Sequence, residues 1–244
     1  MRECVKKPVG DFKNFCTFSF LLRFPNQLPD PLLKPLVVLK RTTGRLLLTL
    51  LVITGLAGTV SNNSPSKEER KYALGLMKDT YKEALKAVKD LSEEQLNYRT
   101  APDQWSVKEC MYHIAVSEKN LWSFLEGTMK AAANPEKRPE IKVTDEQFVN
   151  MMKDRSRKVK TMESFEPKNT GYKSMDEAAE DFKMNRMKNI KYMKTSTEDL
   201  RNHVVQLPFG WIDCYQLYLM IGAHSSRHTQ QINEVKASSG FPAK

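Results

Sequence analysis

Residues 105–113 read WSVKECMYH, and this segment marks the start of a long helix. Ser106 can accept a hydrogen bond from the backbone of Glu109 while the Glu109 side chain bonds back to Ser106, which is a capping box. Apolar residues then recur at three- and four-residue steps as far as Leu125, as expected for a helix with one buried face. The helix is predicted to end near Asn134-Pro135.

Three further long helices follow from the same kind of pattern, over residues 66–89, 174–193 and 212–238. Residues 135–173 form a long connection in which one more helix is predicted, from Asp145 to about Lys160. No turn dipeptide flanked by alternating apolar residues is visible, so no sheet is expected. The pattern predicts an all-α protein, a four-helix bundle with a long crossover between the second and third helices.

The basic charge of the chain lies mainly near its beginning. The whole chain carries a formal net charge of +10, but residues 1–61 alone hold nine Lys and Arg against three acidic residues. The rest of the chain is therefore only weakly basic, and no nucleic-acid partner is expected. The apolar share of 40% and the charged share of 28% exclude a multi-span membrane protein and a wholly disordered chain.

Residues 1–61 resemble a leader that contains a signal peptide. Lys40, Arg41 and Arg45 precede an uncharged run over residues 46–60, and small or polar residues follow. As a helix this run would span roughly 22 Å, which is shorter than the ~30 Å hydrocarbon core, so a signal peptide is favoured over an anchoring helix. A signal peptide rarely begins forty residues into a chain, which suggests that residues 1–39 reflect a mis-assigned start. We expect an exported domain over residues 62–244 with no stable membrane anchor.

The cysteines outside the leader predict no disulfide. In antiparallel second and fourth helices, Cys110 and Cys214 would lie on the order of 20 Å apart, whereas a disulfide needs Cα atoms within about 7 Å. We expect two free, buried thiols.

Three of the four histidines lie on faces that otherwise point into the bundle. His224 and His228 are four residues apart in the last helix, so both imidazoles leave the same face one turn apart. His113 interrupts an apolar stripe of the second helix, and His203 lies outside any such stripe. Three neutral imidazoles converging in a bundle suit a divalent transition metal. The competing interpretation is that the histidines are ordinary core or half-exposed residues.

The two histidine segments resemble those of a known family. Residues 105–113 are similar to the second-helix motif of the DinB-like superfamily, and AHSSRHTQQI, residues 223–232, is similar to its last-helix motif. The resemblance covers about residues 66–243 and implies a four-helix bundle. It also implies a Zn²⁺ or Ni²⁺ ion bound by one histidine of the second helix and two of the last, which correspond to His113, His224 and His228.

The resemblance leaves the reaction open. Relatives include thiol-dependent transferases and proteins described as hydrolases, so the chain is expected to be a metal-dependent transferase or hydrolase acting on an unidentified small molecule. The alternative is a non-enzymatic, metal-containing binding or structural module. Ser225 replaces the glutamate of a His-Glu-x-x-His motif, which removes the usual base of peptide hydrolysis. No catalytic residue is assigned, and Gln231 and Ser117 are expected beside the metal site or in packing.

Two expectations concern the surroundings of the site. The crossover, residues 135–173, is long enough to form a lid, and we expect it to pack over or beside the histidine face through Phe148 and Met152. Its basic run over residues 153–160 is interpreted as a solvated helix face. The oligomeric state is not fixed by the sequence, and a homodimer stays open.

Overall fold

The computed structural model describes residues 64–243, so the predicted leader and its boundary at residue 61 lie outside the described residues. The helices are α1 (Lys67–Val88), the short α2 (Glu93–Asn97), α3 (Val107–Met129), α4 (Asp145–Lys153), α5 (Met175–Thr195) and α6 (Cys214–Lys236). Three 3-10 turns lie in the crossover, at Pro135–Glu140, Glu163–Phe165 and Pro167–Asn169. No helix of the described part is both long and apolar enough to cross a bilayer.

Local side-chain caps define where the helices begin. Ser66, Ser92, Ser106 and Thr144 each head a complete capping box at α1, α2, α3 and α4. At α5, Ser174 accepts a hydrogen bond from the Glu177 backbone, but the Glu177 carboxylate accepts from Lys173 instead of Ser174. The sequence of residues 174–177, SMDE, predicts a capping box here, and the structure forms only half of it.

The long helices α1, α3, α5 and α6 form the predicted four-helix bundle. Helix α6 packs against α1 and α3, and α5 packs against the same two helices from the other side. Most of α6 is buried, because α4 of the crossover covers a further part of it. This central position explains why α6 carries so few charged residues before its last two turns.

A small hairpin contradicts the expectation that the chain has no sheet. Strands β1 (Val204–Leu207) and β2 (Gly210–Asp213) pair antiparallel, with Leu207 opposite Gly210 and Pro208-Phe209 as the turn. Gly210 has φ 134°, which side chains with a Cβ rarely adopt, so glycine suits the first position after the turn. The last helix consequently begins at Cys214, capped by Asp213, rather than at Ile212.

Two helices end earlier than the periodicity predicts. Helix α3 ends at Met129, before Asn134. Helix α4 ends at Lys153 instead of Lys160, because the Asp154 carboxylate accepts hydrogen bonds from the backbone and hydroxyl of Ser156 and forms a local turn. Most of the basic run thus lies in irregular chain rather than on a helix face. The prediction for the cysteines is confirmed: Cys110 and Cys214 are free and buried.

Candidate metal centre

Three histidines from two helices meet at one point inside the bundle. His113 comes from the middle of α3, while His224 and His228 lie one turn apart on α6. Each histidine contributes one ring nitrogen to a group of three nitrogens that all lie within 4.8 Å of one another. The Nε2 atoms of His113 and His224 are 3.3 Å apart. The structure therefore brings together the three residues that the sequence singled out.

Two of the three rings have a partner that fixes which nitrogen carries the proton. Nδ1 of His113 lies 2.7 Å from the carbonyl oxygen of Phe165, which can only accept, so this nitrogen donates and Nε2 keeps its lone pair. Nδ1 of His228 lies 2.9 Å from Oε1 of Gln231 and donates in the same way. Hydrogen bonds of this kind commonly orient histidines that bind metal ions.

Burial keeps the histidines neutral. Desolvation lowers the pKa of His113 to about 4, although its hydrogen bond to Phe165 opposes the shift. Desolvation and the neighbouring histidines lower the pKa of His224 and His228 well below the ordinary value, and Arg227 adds to the effect at His224. Neutral imidazole is the form that binds a metal ion, so the environment selects the ligand form at neutral pH.

The spacing of one nitrogen pair fits a tetrahedral ion, and all three nitrogens lie within 4.8 Å of one another. Two nitrogens bound at 2.0–2.1 Å to such an ion are separated by roughly 3.3 Å, which is the separation of the Nε2 atoms of His113 and His224. Two lone pairs at this distance repel unless a proton or a cation lies between them. Three imidazoles also leave one position of a tetrahedral ion free.

Aromatic side chains cover part of the cluster. The ring centroid of Trp105, the residue before the cap of α3, lies 4.7 Å from that of His113 and 5.9 Å from that of His228. The Phe165 ring lies 6.5 Å from the His113 ring. This cover keeps bulk water away from two of the three rings and strengthens electrostatic interactions inside the site.

Similar sequences and structures are found among known proteins. A family model of the DinB superfamily matches residues 76–232, which include all three histidines. The chain belongs to the DinB superfamily. YfiT from Bacillus subtilis, described as a probable metal-dependent hydrolase with an unusual four-helix bundle topology, is structurally similar, with a TM-score of 0.51 and 15% identity. The match covers 73% of this chain and 92% of YfiT. No curated protein gives a significant match.

In this DinB-family chain the crossover contacts the histidines, but through different residues from those expected. Phe148 and Met152 join the apolar cluster that also contains Tyr215 and Leu219 of α6. The direct contact to the histidine cluster comes from Phe165, through its backbone carbonyl. Backbone groups leave no trace in the side-chain pattern, so the sequence offered no signal for this role.

The remaining candidates take different places. Gln231 bonds His228, as expected for a residue one turn further along the histidine face. Ser117 is buried and, within the described residues, its hydroxyl has no hydrogen-bond partner. His203 lies outside the cluster, with Nδ1 2.8 Å from the Asp199 carbonyl. Arg227 is not part of the cluster and donates a hydrogen bond to the carbonyl of Arg157.

A buried polar network beneath the site escaped the sequence interpretation. Arg186 of α5 is fully buried and pairs with Glu118 of α3 through two 2.7 Å hydrogen bonds. Its other donors reach the Met77 carbonyl and Thr80 hydroxyl of α1 and the hydroxyl of Ser225 on α6. One guanidinium therefore links all four long helices. Its partner on α6, Ser225, directly follows His224 in the chain.

Proposed function

We propose that this DinB-family chain is a metal-dependent hydrolase that acts on a small molecule through an ion bound by His113, His224 and His228. The observation that carries the proposal is the meeting of three neutral imidazoles within 4.8 Å, those of His113 and His228 buried and that of His224 half-buried. The description of YfiT as a probable metal-dependent hydrolase supports it. Zn²⁺ and Ni²⁺ are the ions we propose, because both accept nitrogen ligands in open sites.

The residues of the chain have separable tasks in this proposal. His113, His224 and His228 hold the ion, and the Phe165 carbonyl and Gln231 orient two of the rings. Trp105 excludes water from one side of the site. An ion held in this way would act as a Lewis acid and lower the pKa of bound water to about 7.

The class of substrate follows from the groups around the histidines. Within the described residues no carboxylate is hydrogen bonded to the three rings, and the Ser225 hydroxyl, in the position of a protease glutamate, donates to the Gly222 carbonyl. A dedicated acid–base group is needed most where the leaving group is poor, as in a peptide, because the amine must take up a proton as it departs. We therefore propose esters, rather than peptides, as substrates.

The proposal is tested by measuring ester hydrolysis with and without the metal. The purified full chain, stripped with a chelator and reloaded with Zn²⁺ or Ni²⁺, is assayed against a panel of small esters in the presence and absence of a small thiol. Hydrolysis that disappears on stripping and returns on reloading supports the proposal. Turnover only with the thiol favours a thiol-dependent transferase, and stoichiometric metal without turnover favours a structural or binding module.

We also propose that the protein is exported, because of the basic flank and short apolar run over residues 40–60. Mass spectrometry of the N-terminus of secreted or periplasmic protein would test this. A mature protein beginning near residue 58–62 is expected, whereas a retained peptide from residues 11–23 would contradict both the leader and the mis-assigned start.

A further inference from the structure

Gln231 of α6 lies between a histidine of the metal site and an arginine of the crossover. Its Oε1 accepts a hydrogen bond from Nδ1 of His228 at 2.9 Å. The same oxygen accepts a longer hydrogen bond, of 3.4 Å, from Nη1 of Arg155. The amide therefore presents its oxygen to two donors at once.

The orientation of this amide decides whether His228 can bind a metal ion through Nε2. A glutamine amide has an accepting end and a donating end. When the oxygen faces Nδ1, that nitrogen carries the proton and Nε2 keeps a free lone pair. When the NH₂ group faces Nδ1, the proton moves to Nε2, and Nε2 can no longer act as a ligand.

Arg155 can stabilise only one of these orientations. A guanidinium carries five donors and no acceptor, so it pairs with the oxygen of Gln231 and repels the NH₂ group. The guanidinium is itself held by Glu234 of α6, through two 2.7 Å hydrogen bonds from Nε and Nη2. Such a bidentate pair fixes direction as well as position.

The neighbouring part of the crossover is attached to the same helix. Gln230 of α6 donates to the Lys153 carbonyl at 3.3 Å, and Arg227 donates to the Arg157 carbonyl at 2.8 Å. These contacts flank Arg155 on both sides and hold it over Gln231. Arg155 therefore reaches the site only while the crossover is docked on α6.

We propose that Arg155 is a positioning residue of the metal site, which acts through Gln231 to keep the proton of His228 on Nδ1. Phe165 does the same for His113 with a backbone carbonyl. The crossover thus sets the metal-binding tautomer of two of the three histidines. The role in metal binding rests on the proposed function, but the tautomer itself is a property of the metal-free protein.

The tautomer can be read directly by ¹⁵N NMR of the histidine rings in metal-free full chain at neutral pH. In the wild type we expect His228 protonated on Nδ1. Arg155→Met keeps much of the side-chain volume but removes the donors, so a substantial Nε2-protonated population should appear. Arg155→Lys, which still offers only donors, should retain the wild-type tautomer. Arg157→Met removes the same charge from an exposed neighbour and is the matched control.

A second background separates this role from a merely structural one. In Gln231→Glu the side chain has no donating end, so adding Arg155→Met should leave the His228 tautomer unchanged. Glu234→Gln removes the carboxylate that holds the Arg155 guanidinium and should shift the His228 tautomer in the same direction as Arg155→Met. This second variant keeps the test open if Arg155→Met does not fold. The proposal is overturned if Arg155→Met leaves the tautomer as in the wild type, or has the same effect with Glu at position 231.

Zinc affinity, measured by competition with a chelating dye, provides the second readout. Arg155→Met should bind Zn²⁺ about tenfold more weakly than the wild type, within the range for residues that orient metal ligands. Arg157→Met should bind as the wild type does. If the wild type binds no Zn²⁺, the proposed function fails while the tautomer comparison still decides the role of Arg155.

Discussion

The buried ion pair between Glu118 and Arg186 should dominate the response of the bundle to mutation. Arg186→Met removes the charge and all five donors. The hydroxyls of Thr80 and Ser225 keep partners, because they donate to the carbonyls of Leu76 and Gly222. Glu118 is left as a buried carboxylate whose one remaining side-chain donor among residues 64–243 is Asn189. The cost therefore comes mainly from one uncompensated charge.

Removing one partner of a buried pair costs about 3–5 kcal/mol. For a domain of this size, that corresponds to a fall in Tm of roughly 6–20 °C. Urea unfolding followed by circular dichroism measures the change in the free energy of unfolding. Adding Glu118→Met to Arg186→Met removes the uncompensated charge and should restore at least about 2 kcal/mol, since apolar replacements of buried pairs are often neutral or stabilising.

A matched control lies on the same two helices. Lys188 of α5 pairs with Glu126 of α3 at 3.1 Å, but both side chains are about half exposed. Lys188→Met should change the free energy of unfolding by less than about 1 kcal/mol. The reasoning is refuted if Arg186→Met costs no more than this control, or if the double variant is no more stable than Arg186→Met alone.

Three further outcomes follow from the structure. The metal-free protein should lose stability as the pH falls from 6.5 towards 4, because His113 takes up a proton near pH 6.5 when unfolded but only near pH 4 in the fold. The shifted pKa of His113 accounts for roughly 3 kcal/mol of this loss. The urea midpoint of His113→Asn should therefore depend less on pH than that of the wild type, and an unchanged dependence would contradict the role of His113. Burial raises the pKa of the thiols of Cys110 and Cys214, the latter to about 12, so peptide-resolved alkylation at pH 8 should modify neither before denaturant is added; early modification of either thiol would count against this. Zn²⁺ should slow hydrogen exchange in residues 154–165 through the contact of Phe165 with His113, whereas identical protection would disconnect the crossover from the site.

The features predicted correctly from the sequence are those encoded within a few neighbouring residues. The capping box at Ser106 starts α3 as predicted, and α1 begins directly after Ser66 as the predicted helix over residues 66–89 does, because each cap involves only residues three apart. The periodicity of the histidines on α3 and α6 placed them on buried faces, and the bundle brings those faces together. The apolar stripes of the four long helices restrict how these helices can pack against one another.

The missed features are a short hairpin with an uncommon turn and contacts between groups distant in the chain. The hairpin consists of two four-residue strands, and its turn, Pro208-Phe209, is not one of the common glycine- or asparagine-containing turns. The contacts of Phe165 and Arg155 arise only when the crossover folds back on α6. No local pattern encodes where an irregular segment docks.

A signal for the buried ion pair was present in the sequence. Glu118 lies in the inward stripe of α3, four residues from both Ile114 and Trp122. Arg186 occupies the equivalent place on α5, four residues after Phe182. A charge at the centre of an apolar stripe seldom lacks a buried partner of opposite sign. One acidic and one basic residue in such positions on two helices of a bundle therefore predict their pairing.

The metal content of histidine variants tests the central claim most directly. The full-length wild type, His113→Ala, His224→Ala and His228→Ala are loaded with Zn²⁺, desalted and analysed by plasma mass spectrometry, with His203→Ala as the control because this residue lies outside the cluster. We predict about one equivalent of metal in the wild type and in His203→Ala, and a large loss in each of the other three variants. Metal retained by folded His224→Ala at the wild-type level would contradict the three-histidine site.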